Sequence, residues 1–342
     1  MLRGLNLKYT HKEYEKMKKI LIMFLALTMI LSGVIGCTKA DLPQKEPKTI
    51  KFCYQDGTPA LTAAKLAKEN PVIDEYIAIE YEMQKSPDLL VTNILKEEAD
   101  IAIVPSNLAA QAFNKGLTYE IVGTSVWGAF YLTSTEEINS FEELKGKEIY
   151  TFGKGLTPDL VLRYVLSKNG IDPDKDVKIT YLNAASEVGP AFIGGKTDLA
   201  VLAEPLLTTV MMKKADAKVI FDLNEEWAKA AGTEKGYPQA SLIIKKDLIE
   251  NDREFVEEFI KSYEESRKWA ADSPKELGEY AEALEISVKK ETLEKGIIWT
   301  NIESFDIKDS KEEYKAYYNA ILDFAPDFIG GKLPDEGIYF ER

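Results

Sequence analysis

The stretch Asp100-Ile101-Ala102-Ile103-Val104-Pro105-Ser106 decides how this chain is read. Four apolar residues in a row, three of them β-branched, sit between Asp100 and Pro105. That is the pattern of a short strand covered on both faces, not of a half-buried strand with alternating polarity. Ser106 then opens a helix over 106–115, which Gly116 closes. A buried strand that hands over at once to a helix belongs to a parallel sheet with helices on its faces.

The same grammar continues in both directions. Toward the N-terminus, 49–54 and 77–83 read as strands, and 58–69 reads as a helix ended at Asn70-Pro71. Ser86 caps a further helix whose first position is Pro87. Toward the C-terminus, 119–125, 129–133, 147–152, 177–182, 199–202 and 218–222 read as strands with helices between them. Ser140-Phe141-Glu142-Glu143 is a capping box, and Thr157-Pro158-Asp159 opens a helix that runs to Asn169 and stops at Gly170. From Asp247 the chain reads as helical. Phe255, Val256, Phe259, Ile260 and Tyr263 share one face, Asn251 with Glu254 marks the start, and more helices are expected at 274–285, 290–298 and 309–324. Two α/β runs and a helical tail suggest two lobes, with ligands collecting at the carboxyl ends of the strands.

The leader is separate. Met17-Lys18-Lys19 is a basic start, 20–30 is an apolar run interrupted only by Thr28, and Val34-Ile35-Gly36 leads to Cys37. This is the layout of a secretory signal over residues 1–36, with Met17 as the expected initiator, and its apolar run is short for a membrane span. Residues 37–48, polar with two prolines, read as a tether.

Composition narrows the chemistry. The 342 residues carry a formal net charge of −14, and the leader is the basic part, so the remainder is more acidic still. Such a surface argues against nucleic acid and against an anionic membrane face. The one histidine, His11, lies in the leader, which removes Ser-His-Asp and Cys-His catalysis and histidine zinc ligation from the rest. Beyond Cys37 the one remaining cysteine is Cys53, in the strand-like Lys51-Phe52-Cys53-Tyr54. It reads as buried packing and leaves no internal disulfide or cysteine metal cluster. No metal and no cofactor is expected.

Four strand-to-helix junctions share one chemistry: Gln55-Asp56-Gly57-Thr58-Pro59, Pro105-Ser106-Asn107, Gly153-Lys154-Gly155-Leu156-Thr157-Pro158 and Ala203-Glu204-Pro205. Each brings small or hydroxyl residues to a helix start, where unbonded N–H groups and the positive end of the dipole can face a ligand. Any one of them is also what a plain helix cap looks like; four, spread over both halves, point to a shared cleft. The 153–155 loop lacks both the third glycine of a dinucleotide site and the Gly-Lys-Ser/Thr of a phosphate loop.

On these residues the chain resembles the type II periplasmic-binding proteins. Asp100 to Ser106 looks like their Asp-Ile-(Gly/Ala)-x-x-Pro-Ser strand end, and Phe141-Glu-Glu-Leu-Lys-Gly-Lys147 like their entry to the second lobe. Gly155-Leu-Thr-Pro-Asp159 and Thr197-Asp-Leu-Ala-Val-Leu-Ala-Glu-Pro205 are similar to segments of the nitrate-, sulfonate-, taurine- and thiamine-pyrimidine-type members. The resemblance covers about residues 49–325. It implies an α/β fold of two lobes, each a mixed, mostly parallel sheet flanked by helices, with a helical C-terminal part. Lobe 1 is expected at 49–128 plus 245–342 and lobe 2 at 129–244, with crossings near 129–133 and 239–244.

It further implies a pocket lined by Tyr54, Asp56, Gly57, Thr58, Pro59, Ser106, Asn107, Thr124, Ser125, Trp127, Lys154, Gly155, Thr157, Pro158, Glu204 and Tyr237. In that pocket Tyr54, Trp127 and Tyr237 could stack on a flat ring and Glu204 could accept from an amine or ring N–H. A neutral or weakly charged heterocycle such as a vitamin precursor is favoured; a small oxyanion held with Lys154 stays open. The exit at Cys37 resembles a lipobox, implying a palmitate-bearing lipoprotein on the outer face of the membrane, held there by the anchor alone. The expected role is a monomeric, non-enzymatic solute-binding protein with an ABC permease and ATPase as partners. A lipid-anchored sensor, or an enzyme making a pyrimidine or menaquinone precursor on the same fold, are the alternatives.

Overall fold

The computed structural model describes Lys12, Lys16 and residues 46–302 and 305–341. Apart from Lys12 and Lys16 the expected signal sequence lies outside the described residues, as do Cys37 and residues 38–45 of the tether. Pro47–Arg342 forms one compact unit.

The strands among the described residues are β1 (Lys48–Gln55), β2 (Ile77–Gln84), β3 (Ile101–Pro105), β4 (Tyr119–Trp127), β5 (Phe130–Ser134), β6 (Glu148–Phe152), β7 (Lys178–Leu182), β8 (Leu199–Ala203), β9 (Lys218–Asp222) and β10 (Pro238–Lys245). The helices up to β10 are α1 (Thr58–Glu69), α2 (Pro87–Leu95), α3 (Ser106–Asn114), α4 (Thr157–Lys168), α5 (Ala185–Ile193), α6 (Leu206–Lys213) and α7 (Leu223–Ala231). After β10 come α8 (Lys246–Asn251), α9 (Arg253–Asp272), α10 (Pro274–Ala283), α11 (Lys290–Gly296) and α12 (Lys311–Phe324).

Two five-stranded sheets result, in the orders β2-β1-β3-β10-β4 and β7-β6-β8-β5-β9. The orders correspond when the reversed strand of each sheet, β10 or β5, is counted last: both then read 2-1-3-5-4. In both, a parallel core is invaded by one strand running the other way: β10 is antiparallel to β3 and β4, and β5 is antiparallel to β8 and β9. The two reversed strands are the ones that carry the chain from one sheet to the other. The fold is the two-lobe α/β arrangement of mixed sheets expected from the sequence. The second of the reversed strands, β10, hydrogen-bonds to β3 and β4 along its length.

The local reasons are those of the sequence. β3 has four fully buried residues because neighbours flank it on both edges and helices cover it on both faces. Gly57 precedes α1 at φ 102°, a conformation open to glycine, and Asn70 ends the helix in the left-handed region at φ 42°. Two starts differ. Asn251 ends α8, and Asp252 at φ −135° precedes the long α9, so the start signal sits one residue later than read. The Ser140–Glu143 pair closes a 3-10 turn over Phe141–Leu144, with Ser140 Oγ donating to Glu143 Oε1 at 2.9 Å.

The passages between sheets meet at a tight knot. Gly128 N–H donates to the Tyr237 carbonyl at 3.0 Å, and Asn224 Oδ1 accepts from Tyr237 N–H at 3.1 Å. A Cβ on Gly128 would lie 2.5 Å from the Tyr237 ring, so glycine is required there by close approach. α12 straps the two sheets: Tyr314 OH lies 2.6 Å from Ser241 Oγ of the first, and Tyr317 packs on Trp227 beside the second.

Candidate ligand cleft

The carboxyl ends of β1 and β3 face those of β6 and β8 across a chamber of about 100 Å³. Its walls come from Gly57–Pro59 and Pro105 on one side and from Phe130, Phe152, Leu156 and Pro158 on the other, with Glu204 and Gln239 at its edges. Most of the lining is apolar. The chamber shares Gln55–Gly57, Pro87, Ala185, Ala203 and Glu204 with an outer chamber of about 450 Å³, which also touches Lys85, Lys213, Ser287 and Lys289. Together they form one passage with a narrow inner end.

Asp56 builds the mouth. Its Oδ1 accepts from Gly57 N–H and Ser287 N–H, both at 2.9 Å, and its Oδ2 pairs with Lys85 at 3.2 Å. Both carboxylate oxygens are thus satisfied by protein. Other bonds reach across the cleft: Thr58 Oγ1 donates to the Glu204 carbonyl at 2.8 Å, and Thr157 Oγ1 donates to Asn107 Oδ1 at 3.2 Å. The lobes are therefore in contact on both sides of the chamber, a closed arrangement.

Glu204 is the chemically distinctive group. It is 3% exposed. Its Oε1 accepts from the Thr208 hydroxyl at 2.6 Å and the Thr208 N–H at 3.2 Å, while its Oε2 is buried without a hydrogen-bond partner among the described residues. A Cβ placed on Gly296, at the end of α11, would come within 2.9 Å of that oxygen, so the seam between α6 and α11 leaves room for nothing larger than glycine. Burial pushes the carboxyl up to about 7, against the pull of the two Thr208 hydrogen bonds. Near neutral pH it can accept a hydrogen bond as carboxylate or donate one as acid.

The NMT1/THI5 like family matches residues 73–277. The chain belongs to that family. Solved structures share the fold. An ABC transporter protein from Parabacteroides distasonis superposes with a TM-score of 0.72 at 26% identity, over 86% of this chain and 99% of that one. The periplasmic aliphatic sulphonate binding protein SsuA of Escherichia coli superposes at 0.67 over 86% of this chain and 93% of its own, and at 13% identity it shows the fold alone. In sequence, YtlA of Bacillus subtilis (strain 168), which carries the name of a binding protein, is 25% identical over 188 residues, 53% of this chain and 54% of YtlA. The chain thus spans about half the length of the curated relative it matches.

In this member of the family, Asp56, Gly57, Thr58, Pro59, Thr157, Pro158 and Glu204 come together at the inner chamber. The other expected residues lie elsewhere. Tyr54 is buried edge-on to Phe52 at 5.1 Å. Ser106 bonds Ser241 at 2.7 Å, and Asn107 bridges to the Phe328 carbonyl at 3.2 Å, so both are struts. Thr124 and Ser125 are fully buried, and Ser125 Oγ lies 2.6 Å from Tyr263 OH. Lys154 and Gly155 line a different groove of about 1230 Å³ on the α4 side, where the Lys154 ammonium stands 5.5 Å over the Tyr181 ring.

The expected stacking platform is also displaced. Trp127 is 2% exposed with Lys235 over its ring, and Tyr237 is wholly buried between Phe130 and Tyr317. Both sit where the chain crosses between sheets, and packing of the crossing consumes them. The aromatics that line the chamber are Phe130 and Phe152, 6.0 Å apart and edge to face. They begin β5 and end β6, and sequence reasoning missed them. The usable signal was strand direction: the last residue of a parallel strand looks into the cleft.

Proposed function

We propose that the protein is the extracytoplasmic solute-binding component of an ABC importer, capturing a small organic molecule between its lobes and delivering it to a permease and ATPase. The observation that carries this is the closed two-part cleft, apolar at its inner end, with one buried carboxyl oxygen left without a partner. Glu204 lines both chambers and puts a buried carboxyl at the edge of the apolar cleft, a polar group of the kind that fixes a ligand's orientation. The apolar walls and Phe152 suit a flat or aliphatic body. Family membership and the fold shared with the solved binding proteins support this reading.

In this reading lobe 1 holds the first sheet and α8–α12, lobe 2 holds β5 to α7, and the monomer closes like a hinge about the Gly128 and Tyr237 passages. Residues 1–36 serve as an export signal. Cys37 carries a palmitate-bearing lipid anchor at the outer face of the membrane, and 37–48 is the tether. No helix among the described residues is long and apolar enough to cross a membrane. Binding without turnover is the expected activity.

A thermal-shift screen of the chain against taurine, alkanesulfonates, nitrate, bicarbonate, thiamine pyrimidine and riboflavin tests the reading. A ligand at 100 times its dissociation constant adds about 2.7 kcal/mol to the folded state, a clear rise in Tm. Conversion of any of these solutes into a product would count against a pure binding role. Mass spectrometry of the mature N-terminus tests the anchor: an unmodified start at a residue other than Cys37 removes it.

A further inference from the structure

The seam between α6 and α11 joins the two sheets' helices. α6 follows β8 of the second sheet and packs on α5. α11 is tied to the first sheet's side through α10: Lys290 pairs with Glu279 of α10 at 2.6 Å, and Tyr280 of α10 donates to Glu69 of α1 at 3.0 Å. Across the seam Thr209 Oγ1 lies 3.2 Å from Thr292 Oγ1, and a Cβ on Gly296 would collide with the Thr208 hydroxyl. Glu204 stands in this contact. Thr58 donates to its carbonyl from the other side at 2.8 Å, and its carboxyl lies against Gly296 with Oε2 unpartnered.

The charged groups around it do not answer that carboxyl. On α6, Lys213 is at the far end of the helix. On α11, Lys290 is held by Glu279, while Glu291, Glu294 and Lys295 are exposed. On α5, Glu187 is exposed and accepts from the Asn183 N–H. β5 contributes Tyr131, which feels the charges of both Glu204 and Asp222 and donates to the Trp299 carbonyl at 3.1 Å. Asp56 at the mouth is paired with Lys85. Burial and the Thr208 hydrogen bonds are accordingly the causes of the shift in the Glu204 carboxyl. An ionised carboxylate with one oxygen unmet is costly away from water. Parting α6 from α11 would let water reach Oε2; protonation would remove the cost with the seam intact.

We propose that Glu204 is a proton-dependent clasp between the lobes: protonated, it leaves α6 packed on α11 and the cleft closed, and ionised, it favours parting of the seam and release of the cleft's contents. This rests on the two-lobe hinge of the binding reading. The sign follows from the two environments. The carboxyl titrates at about 7 in the closed seam and at about 4.3 once hydrated. Closing therefore takes up a proton between those values. The clasp is at full strength below the window, weakens as pH rises through it, and changes no further above it.

Native-state hydrogen exchange of the unliganded full chain reads the clasp, because the protection of an amide measures the opening that exposes it. Protection at Thr208 and over α11, corrected for intrinsic exchange, should fall by on the order of tenfold or more from pH 5 to pH 7. Low urea should leave it unchanged, since parting a seam exposes little surface. Glu204→Gln should lose the pH dependence. Thr208→Val removes a donor that favours the ionised form, so it should keep the dependence and move the midpoint to higher pH. Protection that does not change with pH, or a dependence that survives in Glu204→Gln, overturns the proposal. So does a fall that urea steepens as much as in β3 and β8, because Glu204 would then act on global unfolding alone. No ligand enters these measurements, so the clasp and the binding reading fail separately: exchange decides the first and the solute screen the second.

Discussion

The two lobes share one strand order and yet are finished differently. In the first, the edge strand β4 is almost wholly buried, because the C-terminal chain covers it: Thr124 N–H donates to the Phe305 carbonyl at 2.9 Å, and Phe340 N–H donates to the Ile121 carbonyl at 2.9 Å. α9 packs over α1, and Tyr263 OH ties Thr62 and Ser125 together at 2.8 and 2.6 Å. In the second, the edge strands β7 and β9 each begin on an exposed residue and stay half-buried throughout. One topology therefore yields a reinforced lobe and a lighter one. Reinforcement comes from chain outside the repeat, not from the sheet itself. The lighter lobe carries Glu204, Phe130 and Phe152, so these chamber-lining groups sit on the part with less cover. Low local cover is where opening free energies are smallest.

The largest expected effect tests the site end of that contrast. Glu204 titrates at about 7 in the folded chain against about 4.3 in the unfolded one. Between those values the folded state holds more protons, so stability falls as pH rises through the window, and the full penalty is present above it. The shift corresponds to a loss of about 3 kcal/mol between pH 4 and pH 8. Glu204→Gln cannot titrate, so its urea-unfolding free energy should lack this slope. A variant with the wild-type slope would mean that Glu204 is more hydrated than its burial implies.

The next effect tests the reinforced end. A Cβ on Gly123 would collide with the Phe305 carbonyl and lie 2.8 Å from its ring, where the C-terminal chain crosses β4. Gly123→Ala should cost about 2 kcal/mol, as overpacking does. In the lighter lobe, Gly195 has φ 69° and open space around it, so Gly195→Ala meets only the left-handed backbone penalty, about 1 kcal/mol. Chemical denaturation of both variants reads the difference. Equal costs would show that the C-terminal chain does not press on β4 as the geometry requires.

The sequence signals divide along the same line. The strands and helices were legible because buried runs such as Ile101–Val104 stop at proline, glycine or a capping residue, and those are local signals. The backbone part of the cleft was legible for the same reason: Gly57, Pro59 and Pro158 mark helix starts, and helix starts cluster at one edge of each sheet. The aromatic part was not. Whether Trp127, Tyr237, Phe130 or Phe152 meets the chamber depends on how the chain crosses between sheets and on α12, whose Tyr317 stacks on Tyr237 at 6.2 Å from far along the chain. Lys154 was misplaced for a related reason. Gly155 N–H donates to Asp159 Oδ2 at 2.9 Å, and this turns the loop so that Lys154 leans on Tyr181 outside the cleft.

The smallest effect concerns what joins the lobes. Thr157 Oγ1 lies 3.2 Å from Asn107 Oδ1 and 3.5 Å from both the Gln239 carbonyl and Tyr317 OH, all long contacts for a hydroxyl. Thr157→Ala should therefore lower overall stability by no more than about 1 kcal/mol. The bond to Asn107 exists only when the lobes are together, so the loss falls on the closed state and not on either lobe. Small-angle scattering of the unliganded variant should show a larger radius of gyration than wild type, while hydrogen exchange within β3 and β8 stays unchanged. If exchange in β8 accelerates instead, Thr157 supports the lighter lobe itself, and the contrast between the lobes extends to the latch that joins them.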